Sequence, residues 1–129
     1  MALLFPDQGE NLALEMIVNK TAAQNLVLRL YSNNITPGES DTEATYTECS
    51  GSGYSAITLT GGSWGAASGG SIAFAEQTFT FNAAITAYGY YMTQVTSGKL
   101  VYAERFSDAP HTWPSGGGTQ KITPTITAA

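Results

Sequence analysis

The stretch Asn25–Ser32, NLVLRLYS, sets Leu26, Leu28 and Leu30 two residues apart, with Val27, Arg29 and Tyr31 between them. Side chains that alternate with period 2 belong to a β-strand, so the pattern predicts a strand with a leucine face turned to a core. The run breaks into Ser32-Asn33-Asn34 and a turn at Pro37, residue types that favour turns.

The same grammar recurs along the chain. Strands are expected over Ala44–Glu48, Tyr54–Thr60, Glu76–Phe81, Ile85–Val95, Lys99–Phe106 and Gln120–Thr127. In Glu76–Phe81, Phe79 and Phe81 share one face and Thr78 and Thr80 the other. Tyr88, Tyr90 and Met92 fall opposite Tyr91, and Leu100, Tyr102 and Glu104 opposite Val101, Ala103 and Arg105. Ser97-Gly98 between these two runs makes a hairpin. Asn11–Asn19 also alternates, with Leu12, Leu14, Met16 and Val18 in phase; its Leu, Ala, Glu and Met are good helix formers, but the alternation favours a strand. Asp108–Gly118 is expected as a loop, and Pro124 puts the last strand at a sheet edge.

About eight short strands at this spacing point to an all-β fold, an antiparallel β-sandwich of jelly-roll-like type. The 129 residues fit a single domain, with residues 1–11 as an extended N-terminal arm.

Charge narrows the function classes. Five Lys and Arg against ten Asp and Glu give a net charge of −5. Without a basic stripe to displace phosphate counterions, nucleic acid is not an expected partner. No apolar run approaches the roughly 20 residues of a membrane helix, so no membrane partner is expected either. MALLFPDQGE lacks the basic start and long apolar stretch of a secretory signal, so the chain is expected to stay in the cytoplasm where it is made. Charged residues form only 12% of the chain, which leaves a Thr-, Ser-, Asn- and Gly-rich surface suited to packing against other proteins.

Chemistry-bearing residues do not gather into a known constellation. The single cysteine, Cys49, excludes an intrachain disulfide, and its pairing with the single histidine, His111, as a nucleophile–base dyad competes with a buried thiol and an unrelated imidazole. Glu76, Glu104 and Asp108 could supply a glycosidase acid pair only if a cleft brought two of them face to face. Glu39, Asp41, Glu43 and Glu48 crowd one stretch, a solvated loop or a divalent-cation site, but without calcium-loop spacing. The glycine pairs and the Gly116-Gly117-Gly118 run lack the Lys-Ser/Thr of a phosphate loop. No cofactor, metal or catalytic residue is expected. Trp64 and Trp113 lie in Gly-rich segments and are the better aromatic candidates for a contact surface.

The segments MALLFPDQGE, IVNKTAAQNLVLRLYSNNITPGESDTEATYTE, SGSGY, LTGGSW and AYGYYMTQVTSGKLVYAERFSDAP together resemble a family of small virion proteins of tailed bacteriophages, notably those of cyanobacteria and marine bacteria. The resemblance spans nearly the whole chain. It implies a structural part of the particle, assembled in the host cytoplasm: a capsid cement (decoration) protein, or a piece attached to the tail. Its partners would be the major capsid protein or other virion proteins, and a homo-oligomer is expected. Asn33, Asn34, Ile35 and Pro37 of the loop Asn33–Glu43, with Trp64, His111 and Trp113, are the candidate partner-contact residues. The alternative is a tail-fibre or receptor-binding module in which Trp64, Trp113 and His111 meet a host glycan.

Overall fold

Residues 5–128 are described by a computed structural model of the chain, and among them lie one helix and ten short strands. In chain order these are α1 (Asp7–Ile17), β1 (Leu26–Tyr31), β2 (Ile57–Leu59), β3 (Ser71–Ala73), β4 (Gln77–Phe81), β5 (Ile85–Ala87), β6 (Gly89–Gln94), β7 (Leu100–Arg105), β8 (His111–Trp113), β9 (Gly118–Ile122) and β10 (Thr125–Thr127). The class is mostly β, and every strand pairing among the described residues is antiparallel.

The strand expected over Asn11–Asn19 is instead helix α1, and it takes in Asp7–Asn11 of the expected arm; residues 1–4 of that arm lie outside the described residues. Helix propensity overrides the alternation here. Pro6 enters in an extended conformation, and Asp7 and Glu10 set negative charge on the first turn, where the helix dipole favours it. The far end closes on Asn19 at φ 60°, with Asn19 N–H donating to Met16 O and Lys20 N–H to Glu15 O, the double bond of a Schellman cap. Residues two apart on a helix diverge by about 200°. Leu12 is therefore buried while Leu14 stands 60% exposed. Gly9 faces inward so closely that a Cβ would lie 2.1 Å from Val101 O.

The four-stranded sheet runs β2-β1-β6-β7. Leu28 pairs with Met92 and Leu30 with Tyr90, and all four are buried. Both faces of this sheet are covered. Leu28, Leu30, Tyr90, Met92, Val101 and Tyr102 share the larger core with Phe79, Phe81 and Ile122 from β4 and β9, while Tyr31, Tyr91, Leu100 and Ala103 form a second cluster on the reverse face.

Two breaks in phase depart from simple alternation. The run Ile85–Val95 divides at Tyr88 into β5 and β6, so Tyr88 packs with the Tyr91 cluster and not with Tyr90 and Met92. Gly89 makes that junction possible, because a Cβ there would come within 2.2 Å of Glu104 O and 2.6 Å of the Tyr31 hydroxyl. In the β6–β7 hairpin Met92 pairs with Tyr102 but Thr93 with Leu100, leaving Val101 as the extra residue of a bulge. Leu100 and Tyr102, expected on one face, consequently join opposite clusters.

The remaining strands form three two-stranded ladders: β3 with β10, β4 with β9, and β5 with β8. Asp108–Gly118 is thus not a loop throughout, since His111–Trp113 pairs with Ile85–Ala87. Pro124, which cannot donate a ladder hydrogen bond, divides Gln120–Thr127 into β9 and β10. Ala44–Glu48 is not a strand: Glu43–Thr45 makes a 3-10 turn and only Glu48 bridges Tyr31. The segment between β1 and that turn folds over the reverse face of the sheet. There Tyr46 stacks on Tyr91 at 4.9 Å and meets Tyr31 edge-on at 5.0 Å.

Candidate functional site

The candidate contact residues fall into three places, and the structure does not unite them. Asn33, Asn34 and Ile35 have work inside the fold. Asn33 donates to Thr45 O and accepts from Thr47 N–H, pinning the loop to its own return. Asn34 Oδ1 and Ile35 O accept hydrogen bonds from Arg105 Nη1, and the Ile35 side chain packs on the tyrosine cluster. Pro37 is half-buried. Asp41 closes the rest of the loop by accepting from Gly38 N–H and from the Tyr46 hydroxyl, each at 2.8 Å.

His111 and Trp113 both sit on β8, but only His111 borders a shallow polar cleft of about 400 Å³, which Glu104, Arg105, Phe106, Ser107 and Asp108 line with it. The His111 ring stacks flat on Phe106 at 4.2 Å, with Nε2 at 2.5 Å from Asp108 Oδ1 and Nδ1 at 2.7 Å from Gln120 Oε1. That hydrogen bond to His111 holds the exposed Asp108 carboxyl below its ordinary range. Both ring nitrogens face these partners, so neither is free to act as a base for Cys49. Trp113 packs against Phe81 at 4.7 Å and donates its indole N–H to Thr119 O, anchoring the ladder more than facing a ligand.

Cys49 is buried and its Sγ lies 3.5 Å from Thr86 O. Burial, then the nearby Glu48, pushes the thiol up to about 11, the opposite of what a nucleophile needs. The acidic residues are likewise dispersed. Glu48 binds Arg29 Nη1 at 2.9 Å and accepts from the Tyr54 hydroxyl at 2.7 Å, knitting β1 to the following segment. Glu39 instead meets Asp7 and Glu10 at the helix start, where three exposed carboxylates lie within 4.8 Å of one another. Partial desolvation, then Asp7 and Glu10, pushes the Glu39 carboxyl up.

Trp64 belongs to a third place, a groove of about 370 Å³ walled almost wholly by apolar side chains. Phe5, Ala13 and Met16 come from α1 and its approach, Leu26 and Val101 form the floor, and Trp64, Ile72 and Ile126 form the far wall. Trp64 is held edge-on to Phe74 at 5.3 Å. Ile17, one turn from Ala13, stands next to the groove at 78% exposure, while Leu14 at 60% and Val18 at 72% project from the solvent side of the helix, away from it. Reading Asn11–Asn19 as a strand hides both the helical wall of the groove and these exposed side chains. The Pro6-Asp7 entry and the spacing of Gly9, Ala13 and Met16 are the sequence marks that reveal the helix face.

No protein-family model and no curated protein matches the sequence. Among the described residues, no helix is long and apolar enough to cross a membrane.

Proposed function

We propose that this protein is a structural component of a tailed-bacteriophage particle, a capsid cement protein that binds across joints between neighbouring capsid proteins, its strands packed as a jelly-roll-like sandwich. One observation carries the reading: an apolar groove at Trp64 lies open at the surface, with exposed Ile17 one turn from its wall residue Ala13. Apolar surface left open in this way marks contact with other proteins. The segments that resemble phage virion proteins support the same reading. A protein that binds the assembled shell and not its dissociated parts stabilises the shell by mass action.

Copy number per virion tests it. Several hundred copies at regular capsid positions are expected, and particles lacking the protein should lose their genome at lower temperature. About three to eighteen copies confined to the tail would overturn the cement reading.

A tail-associated, glycan-binding role is the second reading, and the cleft at Arg105, Asp108 and His111 is the observation that favours it. Planar charged groups beside an aromatic ring suit sugar hydroxyls and ring faces. Purified protein would then bind host cells, and Asp108→Ala, at an exposed position, would abolish that binding without unfolding the chain.

A further inference from the structure

We propose that the Trp64 groove seats a short, uncharged, extended apolar peptide segment of a partner protein, with Gln94 and Gln24 donating to its backbone carbonyls; this rests on reading the groove as a protein contact and names the chemistry of the partner. Gln94 pairs across the sheet with Leu26, so the two side chains point to the same face, and both residues line the groove. It is only 3% exposed, yet it stands with Leu26, Val101, Trp64 and Ile126, where an aliphatic side chain would be the ordinary choice. Half of its amide is in use. Lys99 N–H donates to Ser97 Oγ at 3.2 Å, and the Ser97 hydroxyl in turn donates to Gln94 Oε1 at 2.6 Å. The Gln94 Nε2 hydrogens meet no acceptor among the described residues and are left to the groove.

Gln24, also on the groove, is arranged alike. Its Oε1 accepts from Thr96 N–H at 2.9 Å and Ser97 N–H at 3.2 Å. Backbone N–H groups only donate, so they fix the amide with Nε2 turned away from them, again with no acceptor among the described residues. The groove therefore combines apolar walls with two unpaired amide donors, and what it lacks is an acceptor. Charge narrows that acceptor to a neutral one. No Asp, Glu, Lys or Arg lines the groove, so a carboxylate buried there would have no cation to meet. A plain hydrocarbon would fill the walls but leave both amides unpaired. An extended peptide offers a neutral carbonyl at every residue and apolar side chains at alternate positions on one face. A cavity of about 370 Å³ suits such a short anchor, not a whole protein face.

NMR titration of the purified full chain with the blocked tripeptide N-acetyl-Leu-Ser-Leu-amide tests the seat, followed at the Trp64 indole N–H and the Gln24 and Gln94 side-chain amides. Saturable shifts at these groups are expected, with a dissociation constant of about 1 mM for so small a probe. Gln94→Met keeps the volume and removes the donor, and should weaken binding about tenfold, the scale of one hydrogen bond. Gln24→Glu at a half-buried position is the second variant: it keeps the acceptor for Thr96 and Ser97 N–H, removes the donor, and should weaken binding at least as much. Decanoate, an alkyl chain with a carboxylate, should not displace the peptide. No saturable shift up to about 20 mM peptide overturns the proposal, as does binding indifferent to both substitutions. Decanoate bound more tightly than the peptide would also overturn it, pointing to a lipid-type ligand. So would nuclear Overhauser contacts from Leu3 or Leu4 to Trp64 in the free chain, which would make the chain its own occupant. The outcome is separable from the cement reading: a protein that stabilises shells but takes no peptide removes only the seat, and one that takes the peptide but binds no shell removes only the cement role.

Discussion

Gly9→Ala pits two well-measured effects against each other. In a solvent-facing helix position the change would stabilise the protein by about 1 kcal/mol through helix propensity. Here the new methyl would lie 2.1 Å from Val101 O and 3.0 Å from Phe5. Restoring an ordinary contact requires α1 to move roughly 1.3 Å off the sheet, because backbone at the bulge cannot swing aside as a side chain can. That movement strains the packing of Leu12 and Val101, at a cost of about 1–3 kcal/mol. It also stretches the 2.7 Å bond from Leu100 N–H to Gln8 Oε1, worth about 1 kcal/mol. The net expectation is a loss of about 2 kcal/mol. For a chain of this length that lowers Tm by about 8 °C, read by differential scanning calorimetry. Gly62→Ala meets nothing within 4 Å and should change stability by less than about 0.5 kcal/mol. A Tm for Gly9→Ala equal to or above wild type would refute the argument, since propensity would then have outweighed the close approach.

Burial raises the phenols of Tyr31, Tyr91 and Tyr102 to about 12. Because the unfolded chain ionises near 10, their contribution to stability is complete below about pH 10 and is lost as pH rises through about 12. Absorbance at 295 nm should show these phenols titrating late, together with loss of near-ultraviolet circular dichroism; titration near pH 10 with the fold intact would contradict their packing. The depressed Asp108 carboxyl has the opposite sign: its contribution is present above about pH 4 and lost as pH falls further. The Tm gap between wild type and Asp108→Asn should therefore narrow between pH 5 and pH 3, and a constant gap would mean that the His111 bond does not hold the carboxylate. Arg29 lies between Glu48 and Thr93, with Nε donating to the Thr93 hydroxyl at 3.0 Å. Arg29→Met should lower stability by about 1–2 kcal/mol in urea titration, by leaving the half-buried Glu48 without its cation; no change would show that solvent replaces the guanidinium.

The local alphabet of the fold is legible in the sequence. Leu28 and Leu30 reach the core as their alternation predicts, Phe79 and Phe81 share a buried face, and the Ser97-Gly98 turn joins β6 to β7. These features depend on neighbours along the chain, and period-2 patterning reports them. Where the period itself misleads, the structure departs from it. Asn11–Asn19 alternates by coincidence of its leucines, and the backbone preference of Leu, Ala, Glu and Met prevails once Pro6 and Asn19 close the ends. The candidate surface was legible in part: Trp64 stands out from its Gly-rich surroundings, but its partners Met16, Ile72 and Ile126 are distant in sequence and carry no shared pattern.

By itself, then, the sequence determined a chain of short strands with leucines at its core and little charge. Tertiary structure alone decided which faces those strands bury. The bulge at Val101 and the break at Gly89 each shift side-chain phase by one residue, and a one-residue shift sends every later side chain to the other face of the sheet. It also decided that Asn34 and Ile35 O meet Arg105 while the Ile35 side chain packs on the tyrosines, and that the helix and its end leave Leu14, Ile17 and Val18 in water. Contacts between residues far apart in sequence set both outcomes, because close packing admits only the arrangement in which helix, bulge and loop fit together.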